Sequence, residues 1–284
     1  MIACAHGTSN AQGAAEVNAL RDAIAELRPG LDVREAYVDV QQPDLVDVMA
    51  GLPRDPDGGS AAASAVVVPL LLSVGYHVKV DIARAVKSRP GSVAAAPLGP
   101  DPRLAALLDL RLREAGVTDN DFVVLAAAGS SNPNAAISVE KLTEQLRALR
   151  PNRIEPAYGA SAKPSVPEAV AMLREEAAGG AGAGESAGAV DMGGRVVIAS
   201  YLLAPGYFHD QLAKAGADLV TAPLLPSPVL AEIALERFDA AVAARAAAVA
   251  AEPAAPVPAK AASEAQPAGP FKALRRFMTK YFPR

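Results

Sequence analysis

Tryptophan is absent from this chain, and aromatics make up only 4% of its 284 residues. A stacking platform for single-stranded nucleic acid is therefore not expected. A basic surplus is missing too: the formal charge is -4, which leaves no electrostatic footprint for nucleic acid and implies no nucleic-acid partner. The single cysteine, Cys4, excludes an intramolecular disulfide and reads as a small buried core residue. No basic segment followed by an apolar one and a cleavage site opens the chain, so the expected location is cytoplasmic. No apolar run approaches the ~20 residues a membrane-crossing helix needs, although the hydrophobic fraction is 51%. Much of that fraction is alanine.

What is present is a length suited to about two domains of ~150 residues and an alternation of strand-like and helix-like segments. Met1–Ala5 reads as a strand, and Ala11–Leu27 carries the helical period through Val17, Leu20, Ile24 and Leu27. Leu31–Asp39 is a second strand, and Pro43–Leu52 a short helix with proline in its first turn. Ala65–Leu72 is a continuous apolar run, as expected for a strand covered on both faces. Val78–Lys87 is helical, Ser92–Ala96 a fourth strand, and Pro102–Ala115 a closing helix. Four β-α units in succession imply an α/β fold with a doubly wound parallel sheet.

The second half repeats the first. Ala5-His6-Gly7-Thr8-Ser9-Asn10 answers to Ala127-Ala128-Gly129-Ser130-Ser131-Asn132, and at the same spacing Val17, Leu20 and Leu27 answer to Val139, Leu142 and Leu149. Further on, Leu71-Leu72 and Gly75-Tyr76 answer to Leu202-Leu203 and Gly206-Tyr207, and Pro97, Pro102 and Leu104 to Pro223, Pro228 and Leu230. An ordered series of Gly, Pro, Tyr and Leu identities implies a tandem duplication. The expected domains are 1–117 and 121–250, joined near Gly116–Asn120, with low-complexity glycine-rich loops after Leu52 and over Gly179–Gly194.

A duplication makes its own differences informative. His6 sits where the first strand meets its loop, the edge at which open α/β sheets bind ligands. The second copy has Ala128 there; Asp39, ending the second strand, becomes Ala160; and His77 falls opposite Phe208, with His209 one residue further. Parallel strands lie ~4.8 Å apart, so His6, Asp39 and His77 at neighbouring strand ends can converge. Two imidazoles and a carboxylate suit Fe2+, Co2+ or Zn2+ with coordination positions left open. The same side chains can take protons from a bound ligand near neutral pH. The alternative is three polar residues satisfied by their own loops.

These residues carry a resemblance. Ala5-His6-Gly7-Thr8-Ser9, Tyr37-Val38-Asp39 with Gln42-Pro43, and Pro69-Leu70-Leu71-Leu72 leading to Gly75-Tyr76-His77-Val78-Lys79-Val80-Asp81 resemble the sirohydrochlorin chelatases of the CbiX/SirB type, over roughly Met1 to Ala241. The resemblance implies a class II chelatase fold, two similar domains facing across a cleft, and ATP-independent insertion of Fe2+ or Co2+ into sirohydrochlorin. The chain has no Walker-type glycine loop to contradict this. No prosthetic group is implied; the divalent metal is a substrate. By position, His6 and His77 match the family's metal-site histidines and its catalytic pair, and Asp39 stands where relatives place an acidic residue. Thr8, Ser9 and Asn10, with Ser130, Ser131 and Asn132, are candidate anion-binding loops at helix starts. Lys79, Arg84 and Lys163 are candidate charge partners for substrate carboxylates, and His209 a candidate cleft residue. Iron insertion, cobalt insertion and non-catalytic tetrapyrrole or metal carriage are the competing functions. The absence of a His-rich extension favours iron.

After the last helix, 252–270 is an Ala/Pro-rich linker without a core. In 271–284, Phe271, Leu274, Phe277, Met278 and Tyr281 recur at helical spacing among Lys272, Arg275, Arg276, Lys280 and Arg284. The segment reads either as a basic amphipathic helix that docks on a partner or an anionic surface, or as a solvated tail.

Overall fold

The structure, a computed structural model, describes residues 1–53, 64–73, 75, 78–180 and 194–251. The glycine-rich loops, the linker and the basic tail lie outside these residues, and so does His77. Each half of the chain builds one parallel sheet. The first is ordered β2-β1-β3-β4 from β1 (Ile2–Ala5), β2 (Arg34–Tyr37), β3 (Val66–Pro69) and β4 (Val93–Ala94). The second repeats it as β6-β5-β7-β8 from β5 (Phe122–Ala127), β6 (Ile154–Tyr158), β7 (Val196–Tyr201) and β8 (Leu219–Val220). The register repeats as well, with Ala5 beside Tyr37 and Ala127 beside Tyr158. The doubled α/β architecture is the one expected from the repeat.

Side-chain alternation along these strands explains the layering. Ile2 and Cys4 point to an outer core with Leu45, Met49 and Ile82, while Ala3 and Ala5 point inward. In the second sheet Val123, Leu125 and Ala127 point inward, and Val124 and Ala126 outward. The two inward faces share one central core, so every residue of β1 and nearly all of β5 is buried. Cys4 is part of the outer core, and burial pushes its thiol pKa up to about 12, which removes it as a nucleophile.

Helix α1 (Ala11–Leu27) has the limits its apolar period predicts, because Asn10 caps it through Oδ1 accepting from the Gly13 N–H at 2.9 Å. The short helix after β2 is α2 (Leu45–Ala50), which begins later than expected. Asp44 is its cap and Pro43 lies outside it. The segment expected to be one helix over Val78–Lys87 instead makes a π-helical turn at Val78–Ile82 before α3 (Ala83–Lys87).

Helices α4 (Pro102–Glu114) and α8 (Pro228–Ala251) overturn a second expectation. Each closes the opposite half: α4 packs against β7 and α5 (Pro133–Arg147), and α8 against α1, β3 and β4. Helices α6 (Val166–Gly180) and α7 (Tyr207–Leu212) complete the second half. The exchange is fastened by equivalent arginines. Arg111 on α4 donates to the carbonyls of Pro223, Leu224 and Pro226 at 2.9–3.1 Å. Its counterpart Arg237 on α8 donates to those of Pro97 and Leu98 at 3.1 and 3.2 Å. Each arginine thus fastens its helix to the loop that follows the last strand of the other half's sheet.

The junction between halves is pinned by Asp121, whose carboxylate accepts from Thr118 N at 2.8 Å and Arg195 Nη2 at 2.8 Å. Burial pushes its pKa up, but the hydrogen bonds from Arg195 and Thr118 prevail and hold it at about 2. A folded-state value below the unfolded one, ~3.9, contributes stability that is complete above that value. It is lost as pH falls through about 2. Denaturant titrations between pH 5 and pH 2 should therefore show a decline that Asp121→Asn flattens. An unchanged slope would discount the carboxylate.

Candidate active site

Between the carboxyl ends of the two sheets lies a cleft of about 670 Å³, walled by both halves. His6 stands on its wall at the end of β1, exposed, with Nδ1 3.4 Å from the Gly7 carbonyl. Gly7 is dictated by the crossing chain. At φ +99, a Cβ there would sit 2.1 Å from the Asp39 carbonyl oxygen. Gly129 repeats the demand at φ +87 and 1.9 Å from the Ala160 carbonyl oxygen. The glycine kept in both copies is thus a requirement of the backbone, while the residue before it, His6 or Ala128, is open to change.

The turn after β2 places Asp39 differently from expectation. β2 ends at Tyr37, and the Asp39 carboxylate bends back to accept from the Val40 N–H at 2.7 Å. Asp39 is not among the residues lining the cleft; Val40 and Gln41 are. Val40 has φ 62, as does its counterpart Ser161 with φ 61. A β-branched residue in that region carries about 1–3 kcal/mol of strain. Gln41 is fixed by its Oε1 accepting from Thr8 N at 2.8 Å. Neither residue carries a sequence signal: valine does not announce a left-handed backbone, and a neutral glutamine is neither a metal ligand nor a charge partner by type.

On the cleft wall Tyr37 is locked in place. Arg21 donates to its hydroxyl at 3.0 Å and lies over its ring at 4.7 Å, the hydroxyl hydrogen-bonds Glu35, and burial raises the phenol pKa. The second half has Thr143 and Pro156 at the positions of Arg21 and Glu35, so Tyr158 has no such anchor. Tyr201 joins the halves by donating to the Leu72 carbonyl at 2.8 Å, with Gly99 pressed beneath it.

The remaining expected residues divide. Thr8, Ser9, Ser130, Ser131 and His209 line the cleft, with His209 Nε2 3.2 Å from the Thr221 carbonyl oxygen. Asn10 and Asn132 do not line it. Their side chains cap α1 and α5, where Asn132 Oδ1 accepts from Asn134 N at 3.1 Å. Lys163 lies 2.6 Å from Glu168 and Arg84 3.8 Å from Asp81; neither lines the cleft. The Lys79 side chain and His77 lie outside the described part. Among the described residues no three His, Cys, Asp or Glu side chains cluster as a metal site, and the cleft wall carries no Lys, Arg, Asp or Glu. Aromatic residues Tyr207 and Phe208, not anticipated as site residues, line the second half's wall.

A sequence model of the CbiX family matches residues 1–115 and 122–181. The chain belongs to the CbiX family. The family expected from the His-Gly-Thr and Gly-Tyr-His-Val motifs is therefore the right one. No curated protein sequence matches the chain. Among solved structures, SirB from Bacillus subtilis with Fe3+ is 20% identical with a TM-score of 0.65, over 87% of this chain and 96% of that one. SirB from Bacillus subtilis subspecies spizizenii in complex with cobalt is 17% identical with a TM-score of 0.60, over 85% and 94%. CbiX, described as the terminal enzyme for siroheme biosynthesis in denitrifying bacteria, is 18% identical with a TM-score of 0.55, over 84% and 98%. These likenesses establish that this CbiX-family chain has the chelatase fold of two tandem domains. No described helix is long and apolar enough to cross a membrane.

Proposed function

We propose that the chain is a sirohydrochlorin chelatase that works without ATP, with Fe2+ as its metal substrate and siroheme as its product. The observation that carries this reading is the cleft itself, which opens between two sheet edges of a CbiX-family chain with His6 on one wall. The related SirB structures, solved with iron and with cobalt, support a metal at this kind of site. The siroheme role printed for CbiX favours iron, as does the lack of a His-rich extension in this chain.

The chemistry follows from the residues. A divalent ion entering the ring displaces two pyrrole N–H protons, so insertion needs a metal donor and a proton acceptor side by side. His6, on the cleft wall, supplies an imidazole of the kind that donates to a metal or accepts a proton. His77 is its partner by sequence position. Tyr37 and Gln41, both held by hydrogen bonds, shape the wall next to His6. Asp39 is the candidate carboxylate ligand by sequence position, with Oδ1 accepting from the Val40 N–H. The hydroxyls of Thr8, Ser9, Ser130 and Ser131 offer neutral hydrogen bonds to the macrocycle's carboxylates.

The test is anaerobic turnover of sirohydrochlorin by the full chain with Fe2+ and, separately, Co2+, followed by loss of the free-base absorption. Many turnovers per protein without nucleotide are expected. Insertion no faster than the spontaneous rate would make the protein a carrier, and turnover with cobalt alone would assign it to corrin synthesis.

A further inference from the structure

The second half has lost the residues that would bind metal, yet it has kept a wall of the cleft. There it displays Tyr207 and Phe208, whose rings meet edge to face at 5.7 Å and 76°. Tyr207 is 71% exposed and Phe208 39%, in a chain with few aromatics. The backbone sets both rings. Phe208 lies over Gly159, where a Cβ would come within 3.1 Å of Phe208 Cδ1 and 3.3 Å of the Ala128 carbonyl oxygen. Gly206, directly before Tyr207, faces Thr8 of the first half, whose Oγ1 lies 3.2 Å from the Cβ position. The aromatic pair is therefore carried on a turn that touches the loop following His6.

Two substitutions go together in the repeat. Where the first half has His6 and, by sequence, His77, the second has Ala128 and Phe208. The absent side chain at Gly159 leaves room for the Phe208 ring. We propose that the second half is an aromatic platform: the exposed Tyr207 ring stacks on one face of the macrocycle, buttressed edge to face by Phe208, so that the opposite face meets His6. This rests on the chelatase reading above. The need for such a platform follows from the cleft's charge. With no Lys or Arg among its described lining residues, apolar and aromatic contact is what the described wall supplies to a conjugated ring. Tyr207 and Phe208 are positioning residues, since they act through the ring on the metal–histidine step.

The experiment measures metal-free sirohydrochlorin binding by the macrocycle's own fluorescence, for wild type, Tyr207→Ala, Phe208→Leu and the Tyr207→Ala/Phe208→Ala double variant. Removal of one stacked ring should weaken binding about 5- to 100-fold, the range of an aromatic stacking contact. The loss should appear in KM, while Co2+ affinity of the free protein is unchanged. Tyr207 is so exposed that its variant tests the platform without disturbing the core. Phe208→Tyr should restore binding where Phe208→Leu does not. Binding by wild type and double variant within twofold of each other overturns the platform alone. A wild type that binds no sirohydrochlorin overturns the chelatase reading and the platform with it.

Discussion

His6→Ala is expected to reduce metal insertion at least about 100-fold while leaving the melting temperature unchanged. The rate loss reflects removal of a proton acceptor and metal donor in one step, and positioned acid–base groups contribute about 10²–10⁴-fold. The unchanged stability follows from the side chain's exposure and from Gly7, which carries the backbone demand of the turn. His209→Ala is the informative comparison, because His209 also lines the cleft but has its Nε2 at the Thr221 carbonyl of its own half. It should cost far less. If His6→Ala retains more than about a tenth of the wild-type rate, the metal is handled elsewhere and the asymmetry between His6 and Ala128 needs another explanation.

That asymmetry is legible in the sequence because the chain is its own control. Backbone requirements recur in both copies, as Gly7 and Gly129 show by their shared collision with a crossing carbonyl. Chemistry does not recur, as His6 and Ala128 show. The strands were legible for a simple reason: a sheet covered on both faces leaves uninterrupted apolar runs such as Ala65–Leu72, from which β3 emerges. Three things were not legible. Hydrophobic periodicity tells which face of α4 and α8 is apolar, not which sheet will cover it, so their exchange between halves was hidden. Strand alternation places Tyr37 and Asp39 on one face only while the strand lasts. β2 ends at Tyr37, so Asp39 lies in a turn whose next residue, Val40, is left-handed, and its carboxylate accepts from the Val40 N–H. Phe208 registered as the loss of a histidine, when its placement over Gly159 makes it a gain of an aromatic wall.

The exchanged helices lead to the largest expected effect on stability. Asp109 on α4 and Arg150, just beyond α5, form an ion pair at 2.9 Å between the two halves, with side chains 7% and 6% exposed. Arg150 also donates to the Val117 carbonyl at 3.1 Å and to Asn152 Oδ1 at 2.8 Å. Asp109→Ala keeps the guanidinium buried and takes away its counter-charge, which costs about 3–5 kcal/mol. Against a total of ~5–15 kcal/mol for a folded protein, that loss leaves little margin. An exposed clasp across the same interface, Arg103 to Glu236 with the carboxylate 56% exposed, should cost only about 0–1 kcal/mol when broken. The pair is therefore distinguished by burial, not by bridging the halves. Urea unfolding of Asp109→Ala, Arg150→Met and the double variant separates the cost of a stranded charge from the net value of the pair. The double variant should be more stable than Asp109→Ala, since it strands no buried charge; Arg113, the other partner of Asp109, is exposed and stays hydrated. Equal losses for Asp109→Ala and the Glu236→Ala clasp variant would show that the charge is hydrated after all.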